Sequence, residues 1–515
     1  MSFLADLLNF IVPSLEIDPS IRISGIASDL NRSKENYGVM PGCLFCELST
    51  SPFHFVKPNV TLTAADAGAV AILREAAETR QKPDYFENRI PIYFIKDLTF
   101  QLSSIASRFY GHPSKKLLVI AVTGTNGKTS SCHFSSQALA RLGQKCGLIG
   151  TLGHGFPGRY YDTWLTTPLA NDLQSLLDLM AKEEAKCVAI EASSIGLESG
   201  RLEAVEVDVA VLTSFSQDHL DWHGTMDRYA SAKRRLFDWN SLKHAILNVD
   251  CALGMDILNE LYESSKNLSL CAITLNEQVA LNLPDTVLFA KAKRYNGSLT
   301  GTELEIESSW GTATVWCPNI IGEANVYNLL TVTAVCCSLG HQFGAVIRQL
   351  TSLAPIPGRL QLIRHSNRPQ VIVDFAHCPQ GLLKTLTTIR ELMITDGQIW
   401  CVFGCGGNRD RDKRPVMARI ACQLADKVIV TDDNPRNEDA DQIFQDIRNG
   451  VEDCGKLFTF IHDRRRAIEA ALRQAALIDV VVVAGRGGEK FQLVKDQKIP
   501  FNDSKVVEAI LANVL

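Results

Sequence analysis

From Leu117 onward, short apolar runs alternate with segments of helical length and period. Leu117–Val122, Val188–Ile190, Val207–Leu212 and Ala245–Val249 form one series; Val371–Val373, Ile399–Phe403, Val428–Val430 and Val480–Val483 form a second. Strands this apolar have no wet face, so the pattern predicts parallel sheets covered by helices on both sides. Between the two series, Thr286–Pro318 alternates instead, as in Leu304-x-Ile306 and Thr314-x-Trp316. That predicts antiparallel hairpin structure, with Asn296-Gly297 as a turn. Ala354-Pro355-Ile356-Pro357-Gly358 reads as a linker, because Pro and Gly stiffen and punctuate the chain. The segment ahead of His112-Pro113 has a weaker βαβ rhythm and opens on an amphipathic helix in MSFLADLLNF.

The chain's 515 residues make roughly three units at ~150 each. The expected boundaries are 1–113, 114–354 and 355–515. The expected class is α/β: a small N-terminal α/β domain, a central P-loop ATPase-like parallel sheet with an antiparallel addition, and a C-terminal Rossmann-like domain. With 46% hydrophobic and 21% charged residues the chain is globular, not a disordered tail, a collagen fibre or a coiled-coil rod. A net charge of −5 gives no basic field for nucleic acid. The start has no basic region and Asp6 interrupts it, and no run approaches ~18 apolar residues, so neither a signal peptide nor a membrane span is expected. Fifteen cysteines from Cys43 to Cys454 follow no framework, which predicts reduced thiols and a cytoplasmic location. Cys43 and Cys46 form a C-x-x-C without a second pair at zinc spacing, and read as buried strand cysteines.

Chemistry enters at Ala121-Val122-Thr123-Gly124-Thr125-Asn126-Gly127-Lys128-Thr129, directly after an apolar run. Phe134, Ala138 and Leu142 then recur at helical spacing, closed by Gly143. Strand, glycine turn and helix N-terminus are the context a phosphate loop needs. Gly124 and Gly127 let the N–H groups of Thr125, Asn126 and their neighbours approach an anion, and the helix end adds positive dipole. Lys128 would span the β- and γ-phosphates of ATP, and the Thr129 hydroxyl would sit on Mg²⁺. The spacing is not G-x-x-x-x-G-K-[ST], since Val122 stands five before Gly127; the reading rests on strand, glycines, Lys and Thr occurring in register.

Glu191 follows the run Val188–Ile190, at the edge of a parallel sheet where ligands bind. It is placed either as a Mg²⁺ ligand or as an exposed loop glutamate. The loop Thr213–Gly224 gathers Asp218, His219, Asp221, Trp222 and His223. Thr225 then starts a helix on which Tyr229 and Lys233 share a face. From the residues alone, His219 reads as a core histidine, and Lys233, beside Arg234 and Arg235, as a solvated helix lysine.

The series TGTNGKT, EASS, SQDHLDWHGTMDRYASAK and VDFAHCP resembles the Mur ligases, ATP-dependent amino-acid ligases of peptidoglycan precursor synthesis, and among them the MurE type. The resemblance spans roughly residues 115–505. It implies that Thr129 and Glu191 bind one Mg²⁺, that His219 binds a second, and that Lys233 becomes an N-carbamate and metal ligand. The last point is chemically sensible, because CO₂ turns a cation into a carboxylate-like ligand. Lys128, His219 and Lys233 are thus the implied catalytic group.

The same resemblance implies that Thr166, Thr167 and Pro168 grip the muramoyl part of a nucleotide sugar, with Ser193, Ser194 and Arg201 beside them. Ser28-Asp29 and Val39-x-Pro41-Gly42 are similar to the family's uridine-binding start, so residues 1–113 would take the UDP-sugar. Gly322-x-x-Asn325-x-x-Asn328 matches the segment near adenine, and Arg359 and Asp374 fall where ribose and phosphate contacts lie. His377 is a candidate base.

For the amino acid, Thr431-Asp432-Asp433-Asn434-Pro435-Arg436 closes a strand. Pro435 restricts Asn434 to extended backbone and projects Arg436, whose fork suits a carboxylate. In the family, Asp433-Asn434-Pro435-Arg436 marks ligases that add meso-2,6-diaminopimelate, whose remote end carries an amine and a carboxylate that lysine only half shares. By the same resemblance Glu489 takes the remote ammonium, Gly485 offers backbone, and Arg409 holds the α-carboxylate. Three positions depart from the family: Ile195 for histidine, Ser214 for asparagine and Asn408 for aspartate. The implied enzyme is a monomeric cytoplasmic ligase. It uses ATP and Mg²⁺ to join diaminopimelate to UDP-N-acetylmuramoyl-L-alanyl-D-glutamate through an acyl phosphate, with neither nucleic acid nor membrane as partner. The alternatives are a lysine-adding or folylpolyglutamate-type ligase, or a non-catalytic nucleotide-binding paralogue.

Overall fold

The computed structural model describes residues 2–29, 38–48, 60–86, 90–163, 165–264, 267–394, 396–451, 458–495 and 497–513. The chain divides into two compact units, Met1–Ala290 with Thr331–His341, and Lys291–Leu330 with Gln342–Leu515.

The first unit holds two large sheets and a two-stranded pair, Ser2–Phe3 with Arg22–Ile23. The opening helix, Leu4–Leu8, buries Leu4, Leu7 and Leu8. Behind it lies a sheet in the order Gly25–Ala27, Cys43–Glu47, Ala71–Ala76, Ile90–Lys96 and Asp84–Phe86, parallel except for the last strand. Cys43 and Cys46 are buried in its second strand, and burial pushes both thiols up, as expected of core cysteines.

The larger sheet runs Arg159–Tyr161, Gly153–Phe156, Cys146–Gly150, Cys187–Glu191, Leu118–Thr123, Val209–Leu212, His244–Asn248 and Ser269–Thr274. From Cys146–Gly150 onward these strands are parallel, while the first two form an antiparallel edge. Register positions the chemistry. Glu191 pairs with Val122, and Leu212 pairs with Thr123. The glycine loop, Glu191 and the loop from Thr213 therefore leave one sheet edge side by side, at the carboxyl ends of three adjacent strands.

The second unit holds a sheet in the order Gln361–Ile363, Gln370–Asp374, Val480–Ala484, Ile399–Phe403, Lys427–Val430 and Phe458–Phe460, parallel except for the first strand. Strand period two sorts its side chains into two cores. Ile372, Cys401 and Val482 pack on one face, and Val371, Val373, Trp400, Val402 and Val481 on the other. Both faces are apolar and both are covered, which is why the sequence shows unbroken runs.

The antiparallel addition is present as Gly301–Ser308 against Gly311–Pro318. Asn296-Gly297 is not its turn. The strand Leu288–Ser298 runs through both residues and reverses at Leu299-Thr300, where the Ser298 hydroxyl accepts the Thr300 N–H at 3.1 Å. The α/β class, with a small N-terminal sheet, a central sheet around the phosphate loop and a C-terminal sheet, is the class expected. Among the described residues no helix is long and apolar enough to cross a membrane. Thirteen cysteines are free thiols, but Cys422, half-buried on the helix Lys413–Leu424, is disulfide-bonded, which corrects the expectation of reduced thiols throughout. Cys454 lies outside the described residues.

Candidate active site

The glycine loop leads into the helix Lys128–Arg141 as the pattern required, with Gly124 at φ +146° and Gly127 at φ +87°. A Cβ on Gly124 would stand 2.0 Å from Thr213 Oγ1, so only glycine allows the loop to lie this close to the next strand end. Several hydroxyls fasten it there. Thr213 Oγ1 donates to the Asn126 carbonyl at 2.6 Å, Ser214 Oγ accepts the Asn126 N–H at 2.9 Å, and Thr125 Oγ1 donates to the Ser216 carbonyl at 3.0 Å. Lys128 Nζ folds over the loop, donating to the carbonyls of Gly124 and Thr125 at 2.7 and 3.0 Å.

Glu191 is the last residue of its strand and fully buried, which settles the choice against an exposed loop carboxylate. Its Oε2 accepts from Thr129 Oγ1 at 2.9 Å and Thr151 Oγ1 at 3.0 Å, and its Oε1 accepts the Thr151 N–H at 2.8 Å. Gly150 makes room, since a Cβ there would stand 2.1 Å from the carboxylate. Thr151 Oγ1 also lies 3.1 Å from Thr166 Oγ1. Thr167 Oγ1 donates to the Glu191 carbonyl at 2.6 Å and lies 2.9 Å from Ser193 Oγ, while Arg201 donates to the Thr167 carbonyl at 2.8 Å. Burial pushes Arg201 down to about 10, against the pull of Asp172. Ser28, next to the strand Gly25–Ala27, donates to Asn171 Oδ1 at 2.7 Å, apart from this cluster. Thr129, Glu191, Thr166, Thr167, Ser193 and Arg201 are therefore one connected cluster. Thr151 ties Thr166 to the Glu191 carboxylate and carries no motif that would have marked it.

Lys233 is not solvated. Its side chain is 1% exposed on the helix Met226–Arg234, with Nζ 4.4 Å from the Tyr229 ring centroid. Burial, and then the Lys128 charge, pushes its amine well below the usual lysine range, against the pull of Asp218. His219 is half-exposed and left-handed (φ +51°), its ring 6.2 Å from that of Tyr229. Thus Tyr229 borders both, and its own hydroxyl lies 3.2 Å from Thr125 Oγ1. No group of three or more His, Cys, Asp or Glu side chains arranged to hold a metal occurs among the described residues. Thr129 and Glu191 fit one Mg²⁺ through a hydroxyl and a buried carboxylate. His219 and Lys233 both border Tyr229, and an ammonium group at Lys233 does not fit a second cation.

In the second unit, Asn325 donates to the Ile321 carbonyl and accepts from Asn328, both at 2.9 Å, at the start of the helix Glu323–Ser338. Asp374 accepts the N–H groups of Leu360 and Ala376 and the Thr385 hydroxyl, and burial raises its carboxyl. Arg359 lies over the Phe375 ring at 4.5 Å, and His377 Nδ1 is 2.8 Å from the Phe375 carbonyl.

Around the strand ends of the same sheet, Arg436 is left-handed (φ +53°) and donates through Nη1 to the Gly407 carbonyl at 2.9 Å. Burial, then the Arg409 charge, lowers its guanidinium. A Cβ on Gly406 would stand 2.8 Å from Arg436 Nη1, and one on Gly485 would stand 2.6 Å from Asp433 Oδ2, itself buried without a partner. Asn434 Nδ2 donates to Glu489 Oε2 at 2.9 Å. Arg409, Asp433, Asn434, Pro435, Arg436, Gly485 and Glu489 thus ring one set of strand ends. Arg414, fully buried, holds that ring together: it donates to both Glu438 oxygens at 2.7 and 2.8 Å and to Asp446 at 2.7 Å. Glu438 in turn accepts the Asn408 N–H at 2.7 Å. Asn408 has φ +52°, a region asparagine tolerates better than most residues, and its Oδ1 accepts the Asn437 N–H. No motif announced Arg414 or Glu438. Nothing in the structure explains Ile195, half-buried on its short helix.

Two family descriptions match, the Mur ligase middle domain over residues 122–336 and the Mur ligase glutamate ligase domain over residues 358–487. The chain is 40% identical over 440 residues to the UDP-N-acetylmuramoyl-L-alanyl-D-glutamate--2,6-diaminopimelate ligase of Coxiella burnetii, covering 85% of this chain and 87% of that one. It is 37% identical to the ligase of the same name from Pseudomonas aeruginosa, covering 98% of each. A solved structure of such a ligase superposes with a TM-score of 0.66 at 33% identity, over 98% of both chains. The Mycobacterium tuberculosis folylpolyglutamate synthase shares the fold at 18% identity, with a TM-score of 0.60 over 75% of this chain and 92% of that one. The chain belongs to the Mur ligase family.

Proposed function

We propose that this protein is an ATP-dependent, ADP-forming ligase that joins meso-2,6-diaminopimelate to UDP-N-acetylmuramoyl-L-alanyl-D-glutamate in cytoplasmic peptidoglycan precursor synthesis. One observation carries the reading: Thr129 and Glu191 of the phosphate-loop edge share hydrogen bonds, through Thr151, with the Thr166-Thr167 loop proposed for the sugar. A nucleotide loop alone would need no such bridge. The chain-long match to diaminopimelate ligases supports the choice of amino acid.

In this reading residues 1–113 bind the uridine end, 114–354 bind ATP, and 355–515 bind the amino acid. The glycine loop and Lys128 hold the triphosphate, while the T-T-P loop, Ser193 and Arg201 hold the muramoyl peptide. The γ-carboxylate of its glutamate takes the terminal phosphoryl group, giving an acyl phosphate and ADP. The diaminopimelate amine attacks the acyl carbon, and the tetrahedral intermediate expels phosphate to leave the amide. Thr129 and Glu191 would hold Mg²⁺, which supplies charge neutralisation to the phosphates. Lys233 reacts with CO₂ through its neutral amine, losing a proton to become a carbamate that with His219 would hold a second ion. Arg409 takes the α-carboxylate, Arg436 the remote carboxylate and Glu489 the remote ammonium.

The test is ADP release with ATP, the UDP-muramoyl dipeptide and one amino acid. Diaminopimelate should support turnover and lysine should not. Equal rates with lysine would refute the pocket assignment, and bound nucleotide without ADP release would refute the enzyme.

A further inference from the structure

Arg486 sits at the acid end of the amino-acid pocket with no contact of its own to any proposed substrate group. Its side chain is fully buried. Nη1 donates to Asn434 Oδ1 and Nη2 to the Phe491 carbonyl, both at 2.7 Å. The Leu493 N–H donates to the same Asn434 Oδ1 at 2.8 Å.

Two donors on one oxygen decide which way the amide faces. Turned over, the Asn434 NH₂ would meet a guanidinium and an N–H, with no acceptor for either of its protons. Nδ2 is therefore directed to Glu489 Oε2. One oxygen of Glu489 is thereby committed to the protein, which leaves Oε1 for the ammonium in the function proposed above. Burial raises the Glu489 carboxyl, and the Arg486 charge, with Nη1 3.5 Å from Oε2, pulls against that toward the ionised form.

We infer that Arg486 is a positioning residue for amino-acid recognition: acting through the Asn434 amide, it fixes the orientation of Glu489 and hence the capture of the remote ammonium. This deepens the function proposed above and rests on it. A lysine could supply the charge but not the fork that serves Asn434 and Phe491 together.

The experiment uses the full chain and steady-state ADP release, with diaminopimelate varied and the other substrates saturating, on Arg486→Gln, Arg486→Lys and Arg436→Ala. Arg486→Gln should raise KM for diaminopimelate by about tenfold, the worth of one charge-assisted hydrogen bond. Its kcat and its KM for ATP should stay within about twofold, since the bonds from Arg486 go to Asp433, Asn434, Phe491 and Glu489 and not to the phosphate loop. Arg486→Lys should fall between it and the parent, and should carry the test if the glutamine variant does not fold. Should Arg436→Ala raise KM for diaminopimelate while both Arg486 variants leave it unchanged, Arg486 has no positioning role and the pocket stands. Loss of kcat and of affinity for ATP in parallel with melting temperature would make it purely structural, which also overturns the inference. If Arg436→Ala itself leaves KM unchanged, the pocket reading falls and takes this one with it.

Discussion

The phosphate-loop edge of the first unit and the arginine ring of the second both sit at the carboxyl ends of parallel strands, yet they are built from opposite materials. Around Glu191 nearly every partner is neutral: two threonine hydroxyls and a backbone N–H serve a single buried carboxylate. Around Asn434 the structure is ionic, with Arg414 on Glu438 and Asp446, and Arg464 on Asp503 at 2.8 Å with both side chains fully buried. The ligands explain the difference. A triphosphate is bound by N–H groups that need only be brought close, so glycine and hydroxyl lacing suffice. A zwitterion must be told from a near-isostere by the position of each charge, and charges held out of water are stable only when paired. The first region therefore depends on close approach, the second on mutual neutralisation.

The sharpest way to break that contrast is to remove one ion from the ionic side. Arg414→Met leaves Glu438 and Asp446 without their shared cation, and losing one partner of a buried pair costs about 3–5 kcal/mol. Chemical denaturation should show the second unit unfolding early while the first keeps its midpoint. Coincident shifts in both would mean that the units do not unfold separately.

Next in size is the loss of charge from the neutral side. Lys128→Ala should lower kcat for ADP release by about 10²–10³-fold, the worth of one donor to developing charge. Its melting temperature should change little, because the bonds from Lys128 Nζ to the carbonyls of Gly124 and Thr125 stay within its own loop. A matching collapse in stability would show that the lysine braces the loop instead of serving the phosphates.

Acid separates the regions more gently. Hydrogen bonds from Arg411, then Arg414, hold the Asp446 carboxyl down to about 2 from an ordinary 3.8, and Arg414 lowers Glu438. Both folded values lie below the unfolded ones, 3.8 for Asp446 and 4.5 for Glu438, so the stability they give is complete above about pH 5 and is lost as pH falls toward 2. The melting temperature should decline over that window, and Arg414→Met should flatten the decline. An unchanged slope in the variant would show that the pairing with Arg414 is not its source, since Arg411 still holds Asp446.

The same contrast governs what could be read in the sequence. The glycine loop, its strand and its helix were legible because close approach of backbone is written locally, in glycines at fixed offsets. The strand ends that carry Glu191 and Arg436 were legible too, as ends of apolar runs, but whether Glu191 is buried or exposed was not. Thr151, Arg414 and Arg486 were not, because their partners lie far away along the chain and a threonine or arginine carries no local period. Lys233 shows the limit from the other side. Its neighbours Arg234 and Arg235 suggested a wet helix face, whereas only the fold reveals that the lysine turns inward toward Tyr229. The expected turn at Asn296-Gly297 failed for a related reason: the dipeptide is a strong local signal, but the strand Leu288–Ser298 continues through it.

The smallest effect concerns Ser214, where the family usually has asparagine. Its Oγ accepts the Asn126 N–H at 2.9 Å, but its own carbonyl also accepts the Thr125 N–H at 2.9 Å, and Thr213 holds the Asn126 carbonyl independently. Asn126 is exposed, so water can replace the lost acceptor in Ser214→Ala. The expected cost is that of one solvent-reachable hydrogen bond, about 1 kcal/mol, or roughly a fivefold rise in KM for ATP with kcat little changed. Ser214→Asn, which offers an amide oxygen in place of the hydroxyl, should cost less than the alanine. If Ser214→Ala instead lowered kcat as far as Lys128→Ala does, the neutral region would prove as dependent on a single contact as the ionic one, and redundancy of hydroxyls would not be what holds the phosphate loop.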